Sequence, residues 1–169
     1  MKTLYLIGGT MGVGKTTVCR ELKNQLPRSV FLDGDWCWDM NPFVVTEETK
    51  AMVLDNITTL LKNFLRCSAY DHVIFCWVMH QQAILDQILR RLDLTDVTVV
   101  PVSLVCSQEV LLQRLNQDVS AGLRQPDILL RSPQRLPLYD ALDTHKIDTS
   151  YAAVPEIVQA ILRLSKNGI

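Results

Sequence analysis

The chain has 169 residues, 48% of them hydrophobic, with 17 lysines and arginines against 18 aspartates and glutamates. That length fits one domain, the apolar share excludes global disorder, and a net charge of −1 argues against a nucleic-acid partner held by phosphate neutralisation. No apolar run approaches the roughly 18 residues needed to span a bilayer, so no membrane partner is expected. The opening Met1-Lys2-Thr3-Leu4-Tyr5-Leu6-Ile7 faintly resembles a signal peptide, but it breaks at Gly8-Gly9 and reads as mature chain. Five cysteines at 19, 37, 67, 76 and 106 include no CxxC pair. Their scatter argues against a disulfide framework or zinc site and for a reducing, cytoplasmic compartment. Monomer and homodimer are both compatible with the sequence.

In chain order, Lys2 to Ile7 is short, apolar and followed by glycines, which predicts a buried strand. Lys15 to Leu26 has helical spacing and stops at Pro27. Val30-Phe31-Leu32 is a second strand ending in Asp33-Gly34-Asp35, and Thr46 opens a long helix with acids in its first turn. His72 to Met79 is almost continuously apolar and predicts a third strand. A helix follows over Gln81 to Leu92. Val97 to Cys106 predicts a fourth strand with an irregular start at Pro101. Ser107 caps a helix, Asp118 to Pro133 is polar and turn-rich, His145 to Asp148 is a short last strand, and Val154 to Leu164 is an amphipathic helix. Five apolar strands alternating with helices predict an α/β domain with a parallel sheet covered on both faces. The 118–133 segment reads as a mobile connection or lid as readily as a surface loop.

Gly9-Thr10-Met11-Gly12-Val13-Gly14-Lys15-Thr16 matches G-x-x-x-x-G-K-[ST] between the first strand and the first helix, with Thr17 next in the helix. Glycines let consecutive backbone N–H groups point inward, and the helix start adds its positive end. Lys15 brings a full charge to the β- and γ-phosphates, and Thr16 offers a hydroxyl to Mg²⁺. A nucleoside triphosphate is the expected ligand.

The loop, the short chain and the Asp33-Gly34-Asp35 turn resemble the small P-loop kinases that phosphorylate metabolites, among them shikimate kinase, gluconate kinase and chloramphenicol phosphotransferase. Phe31-Leu32-Asp33-Gly34-Asp35 is similar to the segment after the second strand of gluconate kinase. Arg135-Leu136-Pro137-Leu138-Tyr139, followed by Lys146-Ile147-Asp148-Thr149, resembles the stretch joining lid to last strand in shikimate kinase. The resemblance implies a P-loop kinase fold with a five-stranded parallel sheet ordered 2-3-1-4-5 and a lid that closes on ATP. It also implies site roles: Asp35 contacts the acceptor hydroxyl as base, and Asp33 with Thr16 holds Mg²⁺. Arg135 faces the acceptor, Arg124 or Arg131 is the lid arginine, Arg114 lies by the adenine, and Thr149 and Ser150 border the base.

Departures from that pattern bear on the acceptor. The third strand, Val73-Ile74-Phe75-Cys76-Trp77-Val78-Met79, lacks the glycine-rich ending of shikimate kinase and an acidic Walker B residue. No arginine occurs between Arg28 and Arg66, where nucleoside monophosphate kinases place arginines for the acceptor phosphate. Trp36, Trp38 and Phe43 occur there instead, with Trp77 on the facing strand, which favours a hydroxylated acceptor with an apolar or aromatic body. The expected function is ATP-dependent phosphoryl transfer to a small-molecule hydroxyl. The alternatives are a regulatory or switch ATPase without a metabolite acceptor, or a nucleoside or nucleotide kinase.

Overall fold

A computed structural model describes residues 1–166. Its strands are β1 (Lys2–Gly8), β2 (Ser29–Asp33), β3 (His72–Cys76), β4 (Val97–Val105) and β5 (His145–Asp148). All pair in parallel, in the order β2-β3-β1-β4-β5. Alternation along the strands sends apolar side chains to both faces of the sheet. Tyr5, Ile7, Ile74, Cys76, Val102 and Leu104 pack on one face, and Leu4, Leu6, Val73 and Phe75 on the other. Burial on both faces is why these strands read as continuous apolar runs.

The helices are α1 (Lys15–Gln25), α2 (Glu47–Arg66), α3 (Gln82–Leu89), α4 (Gln108–Ser120), α5 (Ile128–Arg135) and α6 (Val154–Lys166). α1, α4 and α6 supply Val18, Leu22, Leu111, Leu115 and Ile161 to the Tyr5 face, while α2 and α3 supply Val53, Ile57, Leu61 and Leu85 to the Leu4 face. Thr46 caps α2 through a reciprocal box with Thr49, and the Ser107 hydroxyl accepts from the Val110 N–H to start α4. Each such cap contributes about 1 kcal/mol. No helix among the described residues is long and apolar enough to cross a membrane.

Several predicted boundaries move. β3 ends at Cys76 rather than Met79, because its neighbours run out: Cys76 pairs with Asp33 and Ile7, the ends of both ladders. Beyond it the apolar residues cap the core as a turn, with Met79 buried at a φ of 39°. α3 is shorter than its pattern, since Arg91 and Leu92 bond three residues back, to Ile88 and Leu89, and tighten its end. β4 passes through Pro101 without a break; β5 pairs with β4 only from Val102 onward, so the proline lies outside that ladder. Within the turn-rich 118–133 segment, α4 continues to Ser120 and α5 starts at Ile128, leaving 121–127 between the helices.

Candidate active site

The site lies at the carboxyl ends of β1 and β2, where open parallel sheets place their ligands. β1 runs into the phosphate loop, and the loop's shape depends on two glycines in particular. Gly12 has a φ of 85°, and a Cβ there would meet the Leu115 side chain at 2.6 Å. Gly14, at a φ of 107°, begins α1 with open space where a Cβ would project. No side chain caps α1 and no acid sits in its first turn, in contrast to α2 and α4. The N–H groups at its start are therefore left for an anion.

Lys15 folds back onto the loop, its Nζ donating to the Thr10 carbonyl at 3.0 Å. Burial lowers its pKa from the usual lysine value, and the nearby Asp35 and Asp33 carboxylates oppose that shift. The Thr16 hydroxyl donates to Asp33 Oδ2 at 2.9 Å, and the Asp35 N–H donates to Asp33 Oδ1 at 3.1 Å. Asp33 thus accepts the Thr16 hydroxyl's hydrogen bond and leaves the hydroxyl oxygen lone pairs for a cation. This donor set fits Mg²⁺, with the acid supplied by β2 rather than by β3. Asp35 is the second residue of the 3-10 turn Gly34–Cys37 that follows β2. Burial and the neighbouring Asp33 raise its pKa above the ordinary 3.8, against the pull of Lys15 and the indole N–H groups of Trp77 and Trp38. The residue as a whole is nonetheless solvent-exposed, so solvent screens much of this effect.

A cavity of about 430 Å³ opens beside the loop, lined by Gly12 to Val18, Arg114, Gln117, Asp118, Arg124, Thr149 and the start of α6. Arg114 is held in its wall: Nη1 donates to the Val13 carbonyl at 3.3 Å and to Thr149 Oγ1 at 3.1 Å, and Nη2 to the Thr149 carbonyl at 2.6 Å. The two arginines of the 118–133 segment part company. Arg124 lines the cavity while paired with Asp118 at 2.8 Å, close enough to Lys15 for its charge to disfavour that lysine's protonation. Arg131 pairs with Asp127 at 2.7 Å on the exposed side of α5. Ser150 is not among the cavity-lining residues; its hydroxyl accepts from the Ser107 N–H. A second cavity, of about 530 Å³, lies at the opposite end of the sheet around Lys2 and Val97, away from this chemistry.

Beyond the end of β2, Trp38 packs edge-on against Phe43 at 5.1 Å and against Trp77 at 5.7 Å. The Trp77 ring lies over Gly34, where a Cβ would be 2.6 Å from it. Trp36 is not brought to this cluster: it is 56% exposed and packs on Phe31. Arg135 donates to Met11 Sδ at 3.3 Å, rather than pairing with a carboxylate. The sequence reading passed over Ser132, which is fully buried against the phosphate loop. Its partners lie 121 and 122 residues away, and no local signal points to them.

A parallel sheet of this order with this loop at the end of β1 defines a P-loop nucleotide-binding domain. A family model described as an AAA domain matches residues 6–124. A shikimate kinase from Acinetobacter baylyi is 30% identical, covering 97% of this chain and 92% of that protein. Among solved structures, a shikimate kinase from Acinetobacter baumannii in complex with shikimate is 25% identical with a TM-score of 0.66, covering 99% and 94% of the two chains. A gluconokinase from Sinorhizobium meliloti shares the fold at 18% identity, with a TM-score of 0.70 and coverage of 98% and 92%. The chain belongs to the family of small P-loop metabolite kinases. It is a small-molecule kinase that uses ATP and Mg²⁺.

Proposed function

We propose that this kinase transfers the γ-phosphate of ATP to a hydroxyl of a small molecule with an apolar or aromatic body, and that it works in the cytoplasm. The observation that carries the reading is the pair of carboxylates after β2: Asp33 engaged with Thr16, and Asp35 free of such engagement beside Trp38 and Trp77. Five free thiols, four of them buried, support a reducing compartment.

In this reading the loop N–H groups and Lys15 hold the β- and γ-phosphates, and Thr16 with Asp33 holds Mg²⁺. The metal neutralises charge on the phosphate oxygens when bound. Asp35 orients the acceptor hydroxyl in line with the leaving oxygen and takes its proton late. The proton moves only as the new O–P bond to the acceptor oxygen forms and the bond to ADP breaks. Arg114 and Thr149 border the nucleotide base. Arg124, rather than Arg131, is the lid arginine, because it already lines the phosphate cavity; it leaves Asp118 to reach the transferring group. Residues 121–127 are the mobile part of the lid, closing to exclude water. Arg135 faces the acceptor. The Trp38, Phe43 and Trp77 corner supports the flat or apolar body, and the lack of arginine between Arg28 and Arg66 speaks against an acceptor phosphate.

The test separates the two aspartates by single-turnover transfer at saturating ATP. Asp35→Asn keeps the shape but cannot take a proton, so turnover falls about 10²–10⁴-fold while ATP affinity stays within a few-fold. Asp33→Asn shifts the Mg²⁺ requirement more than acceptor turnover. Near-normal turnover in Asp35→Asn removes the base from this account.

A further inference from the structure

α5 is joined to the phosphate loop by a hydrogen-bonded latch. The Ser132 hydroxyl donates to the Met11 carbonyl at 2.6 Å. Its proton is thereby committed, so the Thr10 hydroxyl is the donor on its own side, 2.9 Å from the Ser132 carbonyl and 2.8 Å from Ser132 Oγ. Thr10 and Ser132 both have 0% exposure, so water does not compete for these bonds. One turn further along α5, Arg135 touches the side chain of the same Met11. On the other side of the loop, Lys15 donates to the Thr10 carbonyl. A continuous path therefore runs from Lys15 through Thr10 and Met11 to Ser132 and Arg135.

Nucleotide binding acts on one end of this path. The Lys15 ammonium has three donors, so a phosphate competes for the group that holds the Thr10 carbonyl, while the Thr10 hydroxyl keeps Ser132 as its partner. We propose that Ser132 is a positioning residue for the transfer reaction: it makes the shape of the phosphate loop set the place of Arg135, so that nucleotide binding and the acceptor side are coupled through α5. The inference rests on the assignment of the loop to ATP and of Arg135 to the acceptor side. It divides the 118–133 segment by mechanism, since a latched α5 moves with the phosphate loop while 121–127 is free to close.

Hydrogen exchange with and without a non-hydrolysable ATP analogue and Mg²⁺ tests it. In the wild type, the analogue protects residues 9–17 and changes exchange across 128–136. In Ser132→Ala, which keeps only the Thr10 hydroxyl bond to the residue-132 carbonyl, protection at 9–17 persists while the change across 128–136 shrinks, and nucleotide affinity weakens roughly three- to tenfold, the range of one buried hydrogen bond. Thr10→Val removes both Thr10 hydroxyl contacts, keeps the Ser132 bond to Met11 and shrinks the response in the same direction, whereas Thr10→Ser keeps the hydroxyl and transmits as the wild type does. A purely structural serine would lower the melting temperature and leave transmission intact. That outcome, or an unchanged 128–136 response in both latch-cutting variants with 9–17 still protected, overturns the proposal. Absence of protection at 9–17 in the wild type would instead remove the nucleotide assignment, and the coupling with it.

Discussion

Burial and the Asp33 carboxylate raise the Asp35 pKa above 3.8, so ionising this side chain is more costly in the folded protein than in the unfolded chain. The raised value brings the carboxylate closer to what a proton acceptor needs. The same shift predicts a stability cost. Above the raised folded value Asp35 is charged in both states and destabilises the fold; the cost is relieved as pH falls through that value and is gone below the unfolded value. Asp35→Asn is therefore expected to melt at a higher temperature than the wild type at pH 7, with the difference shrinking to nothing as pH falls towards 3.8. Thermal melts of both proteins across that range check this, and an Asp35→Asn variant no more stable at pH 7 contradicts the strain assigned here.

At the scale of elements, the wall proposed for the acceptor is two connections pressed together: the turn after β2 and the turn after β3, with Gly34 under the Trp77 ring. A Cβ at 34 meets Trp77 at 2.6 Å, so Gly34→Ala must move the indole away from Trp38 and Asp35. The expected cost is about 1–3 kcal/mol, as for other overpacked sites, measured by chemical denaturation. A wild-type denaturation midpoint for Gly34→Ala would mean that the indole is not confined. The elements themselves were largely legible, since period and caps place β1, α1 and β2 and the starts of α2 and α4 to within a residue or two. The failures have one cause. The strand pattern of 72–79 cannot show where neighbouring strands end, and Ser132-Pro133 carries breaker chemistry although tertiary bonds to the loop hold α5 around it.

For the whole molecule, the strand order puts β1 at the centre with the phosphate loop at its carboxyl end and β2 two strands away, so one face gathers Lys15, Thr16, Asp33 and Asp35. The phosphate loop is legible because its chemistry is local: eight consecutive residues carry it. The proposed acceptor site is not, because it would be assembled from the ends of β2 and β3, α5 and the loop before α2. Sequence alone groups Trp36 with Trp38, Phe43 and Trp77, while the fold turns Trp36 towards Phe31. Acceptor-dependent turnover tests the central claim most directly: ADP release and phosphorylated product measured with ATP, Mg²⁺ and hydroxylated acceptors that are aromatic, aliphatic or carboxylated, shikimate among the last. The account predicts ADP release driven by acceptor, matched by phosphorylated hydroxyl product, and strongest for acceptors with a flat or apolar body. Transfer to shikimate or other carboxylated acceptors alone would contradict the aromatic corner's role, and slow ADP release indifferent to every acceptor would contradict transfer to a metabolite hydroxyl.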